Sequence, residues 1–349
     1  MKLTKQRVIL GILAVLFLVL TLTFGLRLRY VTNLLPSQQA GERWGSSDDG
    51  GFAQISAFFP ADGMMTADDI ARIRAAIYSN LVMEGMANTN WIYAYSADGS
   101  LTVSARGRTG AVHAYATGVG GEFFFFYPVP FTSGAPFSAD DWNRDLIVID
   151  ESLAWDLFGA LDVAGLEVVI SGQYFRVAGV YRTPTDFASR RAYPMPHLFL
   201  HYDTLVSETD FVAIGNFQAV LPNTLSGMAE RFMENALDDA GVAEFEIINN
   251  TERYQSGALW QIIRQFGGRS MQSLGLRLPH WENAARVVED TAALLFLLVL
   301  LSALYPSVIL GMSLVILWRN RRFRVRDLWK WVAAHRERRK EEKWLKDQY

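Results

Sequence analysis

The sequence predicts an α+β ectodomain held between two membrane-spanning helices. Three observations carry this reading. Residues 8–26 hold no charge, and at ~1.5 Å per helical residue they reach ~28 Å, the thickness of a bilayer's hydrocarbon core. Residues 292–318 are also uncharged, are longer, and need tilt or a kink, which Pro306 would supply. Between these spans, short β-prone runs alternate with amphipathic helical patterns, as an α+β fold requires.

A cleaved leader competes for the first segment, because Lys2, Lys5 and Arg7 precede it. Its apolar run exceeds the usual ~7–15 residues, and it ends in Phe24, Gly25, Leu26 and Arg27 rather than at a small-residue cleavage site. An uncleaved anchor is expected.

Charge sets the orientation. The formal net charge of −3 conceals three unlike parts. Residues 1–29 carry five Lys/Arg and no acid, and 319–349 carry 12 Lys/Arg against five Asp/Glu. Residues 30–290 carry 16 Arg, no Lys and 31 Asp/Glu. Positive-inside bias then puts both termini in the cytoplasm and the acidic middle outside. Arg27 and Arg29 run against that bias and are outweighed by the five arginines within 319–326. An acidic ectodomain offers no basic footprint for nucleic acid.

The chain has no cysteine, so disulfides, reactive thiols and Cys-metal sites are excluded. A disulfide-free ectodomain is expected of a bacterial surface.

The ectodomain opens after a polar, Gly/Ser-rich linker at 36–51. Residues 52–59 read as a strand. Thr66 and Asp69 form a capping pattern for a helix whose Ile70, Ile73, Ile77 and Leu81 share a face. Residues 91–96 and 101–106 flank an Asp98-Gly99 turn and predict a hairpin. A similar unit returns as a strand at 211–221, then a helix capped by Asn223 or Thr224 with Leu225, Met228, Phe232, Met233 and Leu237 on one face. It ends near Gly241 and leads to a strand at 244–249. Together these segments predict a split β-α-β layer. The intervening residues 119–208 are rich in Phe, Pro and Gly, with strands at 146–149, 167–170 and 174–180 and a short helix at 151–158, capped by Asp150 and closed by Gly159. They read as a small β-rich insertion. Residues 256–291 are helical by pattern, and from Trp281 they run into the second span without a breaker, as a stalk would.

Chemical motifs are few. A P-loop needs Lys, and none occurs between Lys5 and Lys330. No G-x-S-x-G elbow and no S-x-x-K dyad is present. His197 and His201 have ligand spacing on a helix, but Pro194 and Pro196 beside them predict an extended chain and a packing role. Asp140 and Asp141 read as turn and cap residues. No catalytic residue, metal site or cofactor is expected. The run Phe123, Phe124, Phe125, Phe126 and Tyr127 reads as a buried strand, with an exposed contact for a partner protein as its functional alternative. Arg319, Arg321, Arg322, Trp329 and Trp331 in the tail are candidate anchors to the inner leaflet.

Three stretches carry a family resemblance: 131–140 (FTSGAPFSAD), 146–159 (LIVIDESLAWDLFG) and 165–180 (GLEVVISGQYFRVAGV). With the order span, domain, span, they resemble the MacB-like periplasmic core domain of MacB- and FtsX-type ABC transporter permeases. The resemblance covers about 52–255. This chain has Gly134-Ala135 and Gly165-Leu166 where the family pattern has Gly-Arg and Gly-Lys, and two spans where such permeases usually have four.

The resemblance implies a porter-like α+β subdomain at 52–118 and 209–255, split by the insertion at 119–208. Around it lie a cytoplasmic N-terminus at 1–7, spans at 8–26 and 292–318, a linker at 27–51, a stalk at 256–291 and a cytoplasmic tail at 319–349. It implies a non-catalytic membrane subunit of an ABC-type transport or mechanotransmission assembly, with an ATPase subunit and further permease chains as partners in a homo- or hetero-dimeric complex. A stand-alone, membrane-anchored binding or scaffolding module is the alternative.

Overall fold

The computed structural model describes residues 5–45, 51–60, 62–138, 141–209, 211–266, 276 and 278–319. The chain divides into two compact units, Arg27–Phe296 and the two ends. In order, the first elements are α1 (Lys5–Thr32), a 3-10 turn (Pro36–Gln38), α2 (Ala40–Trp44), β1 (Phe52–Phe58), α3 (Ala67–Met83), β2 (Ile92–Ala105), β3 (Ala111–Gly121) and α4 (Phe123–Phe126). Then follow β4 (Phe131–Gly134), β5 (Leu146–Asp150), α5 (Glu151–Phe158), β6 (Glu167–Ile170), β7 (Gln173–Tyr181), α6 (Ser189–Ala192), β8 (His197–His201) and α7 (Tyr202–Thr209). The last are β9 (Asn216–Pro222), α8 (Met228–Asp239), β10 (Glu246–Asn249), α9 (Ser256–Arg264) and α10 (His280–Arg319).

In the unit formed by the ends, the apolar parts of α1 and α10 meet. Thr21 Oγ1 donates to Ser302 Oγ at 3.0 Å, and the Phe17 and Tyr305 rings lie 5.3 Å apart. Both helices are long and apolar enough to cross a membrane. Pro306 sits inside α10, which continues past it.

The other unit is built on one sheet, ordered β10-β1-β9-β2-β3-β8-β5-β7-β4, with β6 paired to β2 and β7. Among the described strands β3 with β8 and β5 with β7 run parallel, and the other pairs are antiparallel. Helices α3 and α8 cover one face of β1 and β9. Ala53, Ile55, Ala57, Phe217, Ala219 and Leu221 from the strands meet Ile70, Ile73, Ile77 and Leu81 of α3 and Phe232, Met233 and Leu237 of α8. Thr66 and Asp69 form the expected capping box. A second cluster joins β5–β8 and α5 through Ile147, Ile149, Leu153, Val177, Leu198 and Leu200, and draws Leu101 and Val103 from β2. Strands β5–β8 and α5 thus share their core with β2.

Several local expectations change. The predicted hairpin is absent: β2 runs straight through Asp98 and Gly99, and Asp98 pairs with Thr117 on β3, whose hydroxyl donates to Asp98 Oδ1 at 2.8 Å. The reversal falls at 106–110 instead, where Gly107 and Gly110 take positive φ. Leu225 is exposed, and α8 starts at Met228, with Asn223 Oδ1 accepting from Met228 N and Ala229 N. Strand β9 starts at Asn216, later than expected. The linker at 27–51 is largely structured: α1 continues to Thr32, and Ala40 of α2 is fully buried. The phenylalanine run forms the short helix α4, not a strand.

Candidate functional site at the root of the last helix

Strand β1 alternates apolar and polar side chains, and both faces are buried. Gln54 and Ser56 project opposite to Ala53, Ile55 and Ala57, and on β9 Asn216 and Gln218 do the same. Such alternation ordinarily marks a solvent face. Here the polar face is covered by the 3-10 turn and α2. Gln54 accepts from Ala40 N at 2.8 Å and donates to Ser37 O at 2.8 Å and to Gln218 Oε1 at 3.1 Å. Gln218 donates on to Asn216 Oδ1 at 3.0 Å. Asn250, just past β10, donates to Ser56 Oγ at 2.7 Å.

This polar layer ends in a charged clasp. Arg253 follows Asn250 and is 4% exposed, and Glu282 on α10 is 1% exposed. The guanidinium meets Glu282 through two hydrogen bonds, at 2.8 and 2.5 Å, and also pairs with Glu289 one helical stretch further on. It donates to Gln38 Oε1 at 2.9 Å and to Asn250 Oδ1 at 3.2 Å. Arg286 adds a second cation, contacting Glu282 at 3.3 Å and Glu246 of β10 at 2.6 Å. Burial works against the charge on Arg253, but Glu282 and Glu289 overcome it and hold its pKa well above the ordinary value. A buried pair of this kind needs every donor satisfied, and Arg253 bonds carboxylates or amides with Nε, Nη1 and Nη2.

Aromatic side chains hold the other side of the same turn. Trp281 lies 5.5 Å from the Phe123 ring and 5.3 Å from Tyr127. His280 Nε2 meets the Tyr127 hydroxyl at 3.1 Å. Burial lowers the pKa of His280 to about 3, so it is neutral at ordinary pH. His197 is fully buried between the Tyr181 hydroxyl at 2.6 Å and the Thr117 hydroxyl at 3.0 Å. Burial and neighbouring His280 push its pKa well down. His201 meets Arg144 at 2.7 Å. Both histidines lie on strand β8, extended as the prolines suggested. Among the described residues no three His, Asp or Glu side chains gather as metal ligands. A cavity of about 300 Å³ opens beside this cluster, bordered by Leu34, Leu35, Tyr127, Pro130, His280 and Trp281.

The structure therefore uses the aromatic run internally. Phe123 and Phe126 are buried, and Phe124, Phe125 and Tyr127 are partly buried in the same cluster. The stalk reading also changes. Trp281, Ala284, Ala285 and Val288 are buried within the domain, so 281–290 is no free lever. Arg321, Arg322, Trp329 and Trp331 lie outside the described residues, and only the backbone of Arg319 is placed, as the last residue of α10. Asp140 is outside them too.

The clasp itself escaped sequence reasoning. Its signal was present: Glu282, Arg286 and Glu289 repeat at i, i+4 and i+7, a charged stripe on one face just ahead of an apolar span.

Residues 8–230 match the family model of the MacB-like periplasmic core domain. The chain belongs to that family. Among solved structures it is similar to the periplasmic region of MacB from Actinobacillus actinomycetemcomitans, with 16% identity and a TM-score of 0.43 over 62% of this chain and 94% of that one. It is also similar to the extracellular domain of the noncanonic ABC-type transporter YknZ from Gram-positive bacteria, with 17% identity and a TM-score of 0.40 over 56% and 100%. No curated protein sequence matches the chain. In this MacB-like domain the characteristic stretches have structural work. Asp150 caps α5 by accepting from Leu153 N at 2.7 Å, and Gly159 ends it in the left-handed conformation. Gly134 and Gly179 face each other across β4 and β7. The clasp joins this domain's sheet to α10.

Proposed function

We propose that this chain is a permease-like, non-catalytic membrane subunit of an ABC-type transport or mechanotransmission assembly. Both termini face the cytoplasm, and the MacB-like domain stands outside. Residues 52–118 and 209–255 act as its porter-like part, and 119–208 as the insert. An ATPase subunit and further permease chains complete a homo- or hetero-dimeric complex.

The observation that carries this reading is the clasp. Arg253 fixes the root of α10 to the polar face of the β1–β9 sheet through Glu282 and Glu289. A flexible anchor would need no such joint. A rigid joint lets a displacement of the helix reach the sheet, because close-packed elements move as bodies. Purification of the full chain in mild detergent tests the assembly. Co-purification of an ATPase and a second permease chain is expected. A chain that emerges alone under every mild condition, yet still binds an extracytoplasmic ligand, would favour the stand-alone module instead.

A further inference from the structure

We propose that α6 and α9 form a collar that docks on anionic phospholipid headgroups of the extracytoplasmic leaflet. The proposal rests on α1 and α10 being the spans.

Within the Arg27–Phe296 unit, both short helices pack against the last turn of α1 and the first turns of α10. Ala188 and Ala192 from the α6 region, with Leu259 and Ile262 of α9, share one apolar cluster with Val31 of α1, with Leu35 just past it, and with Ala285, Ala292 and Ala293 of α10. Ala292 and Ala293 already belong to the uncharged stretch of α10, and Leu294 beside them is exposed. The two helices therefore sit at the level where apolar helix surface begins.

Their outer sides are unlike the rest of an acidic domain. Phe187, Trp260 and Phe266 are exposed large rings, and Arg190, Arg191 and Arg264 are exposed beside them. The Arg264 guanidinium lies 5.8 Å over the Trp260 ring. None of the three arginines has an ion pair among the described residues. The nearby Asp186 carboxylate caps α6 instead, accepting from Ala188 N and Ser189 N. Aromatic rings with unpaired arginines are the composition of a membrane–water interface, where rings sit among headgroups and guanidinium groups bind phosphate. The collar also accounts for Arg27 and Arg29, which oppose the positive-inside bias. On the outer side of α1 they face the same phosphate layer.

The absence of cysteine allows a direct test on the full chain. Single variants F187C, W260C, M83C and L304C carry a nitroxide, and the protein is reconstituted in vesicles of phosphatidylcholine with or without phosphatidylglycerol. Collision with oxygen and with a water-soluble nickel chelate reports depth. Labels at 187 and 260 are expected in the headgroup region, 83 in water and 304 in hydrocarbon. If 304 is buried while 187 and 260 are as aqueous as 83, the collar is wrong although the spans stand. If 304 is aqueous, the span reading fails and the collar with it. Labels at 187 and 260 shielded from both reagents, in detergent and bilayer alike, would mean that protein covers this face and would also overturn the proposal. In detergent, phosphatidylglycerol should raise the unfolding midpoint more than phosphatidylcholine does, and R190Q/R191Q/R264Q should lose most of that difference. Equal gains from both lipids in the wild type would overturn the preference for anionic headgroups.

Discussion

Arg253 and Glu282 meet through two parallel hydrogen bonds, at 2.8 and 2.5 Å, inside the protein. Each is nearly inaccessible to water, so neither can exchange its partner for solvent. Removing only the cation leaves Glu282 and Glu289 buried without it. R253M should therefore cost about 3–5 kcal/mol. Removing these three charges together lessens that penalty, with Arg286 keeping Glu246, and R253M/E282Q/E289Q should recover much of the loss. Thermal or denaturant unfolding of the purified chain decides this. Equal destabilisation of the single and triple variants would show that shape, not charge, holds the joint.

Asp150 and the buried histidines make opposite contributions to pH stability. Burial raises the Asp150 pKa to about 6, despite hydrogen bonds from Leu153 N and Tyr193 that favour its charge. A raised acid pKa means that the folded state takes up the proton first. That contribution is fully present below the ordinary value of 3.8 and is lost as pH rises through about 6. His197 and His280 are lowered from 6.5, so their contribution is present above 6.5 and is lost as pH falls below it. D150N should thus exceed wild type in stability at pH above 7, by up to about 3 kcal/mol. The advantage should shrink away toward pH 4. A difference that does not vary with pH would remove this account.

Gly134 and Gly179 separate two roles that glycine plays. A Cβ at Gly134 would strike Ala178 O, and its φ is +70°. A Cβ at Gly179 would stand 2.7 Å from Ala135 O and from the Phe131 ring. At Gly159 φ is +67° but the space is open. G159A should cost about 1–2 kcal/mol, the left-handed backbone term alone. G134A and G179A should cost more than G159A, because backbone must move. Comparable losses at all three positions would show that the β4–β7 pair gives way easily.

Much of the fold was legible because local chemistry decided it. Asp150 capping α5, Gly159 closing it, and the Ile70 to Leu81 face of α3 depend on neighbours within a turn or two. Asp98-Gly99 misled because a turn-favouring pair sits in a strand held from outside, by Thr117 across the sheet. The phenylalanine run misled in a similar way: its β-propensity yields to packing against Trp281, far along the chain. The site was least legible. Gln54, Ser56, Asn216 and Gln218 have the period of a wet face, and only contacts with residues 37–40 and 250–253 make it dry. Pairing of Arg253 with Glu282 is likewise long-range, and no local pattern names the partner.

Orientation can be read in cells, again because the chain lacks cysteine. S226C lies at an exposed position of the MacB-like domain. It should react with an impermeant thiol reagent in intact cells, whereas Q348C should react only after permeabilisation. Labelling of Q348C alone in intact cells would reverse the topology.

The clasp also distinguishes a relay from a tether. Glycines at Ala284 and Ala285 would be a poor test, because both alanines are buried. That change loses about 2 kcal/mol of helix propensity together with two packed methyl groups, so any functional loss could be a folding loss. R253M/E282Q/E289Q is the cleaner instrument, since it should keep the fold while removing the ion pairs of Arg253 with α10. If the joint transmits force, ATP hydrolysis by the co-purified assembly should lose its dependence on the extracytoplasmic domain, with surface expression and assembly unchanged. The aromatic contacts of Trp281 and the Arg286–Glu246 pair remain in this variant, so a partial loss of coupling is expected rather than a complete one. Adding W281A and E246Q should deepen it. Full coupling in the variant with all five changes, with the protein still folded, would make α10 only an anchor and end the relay reading.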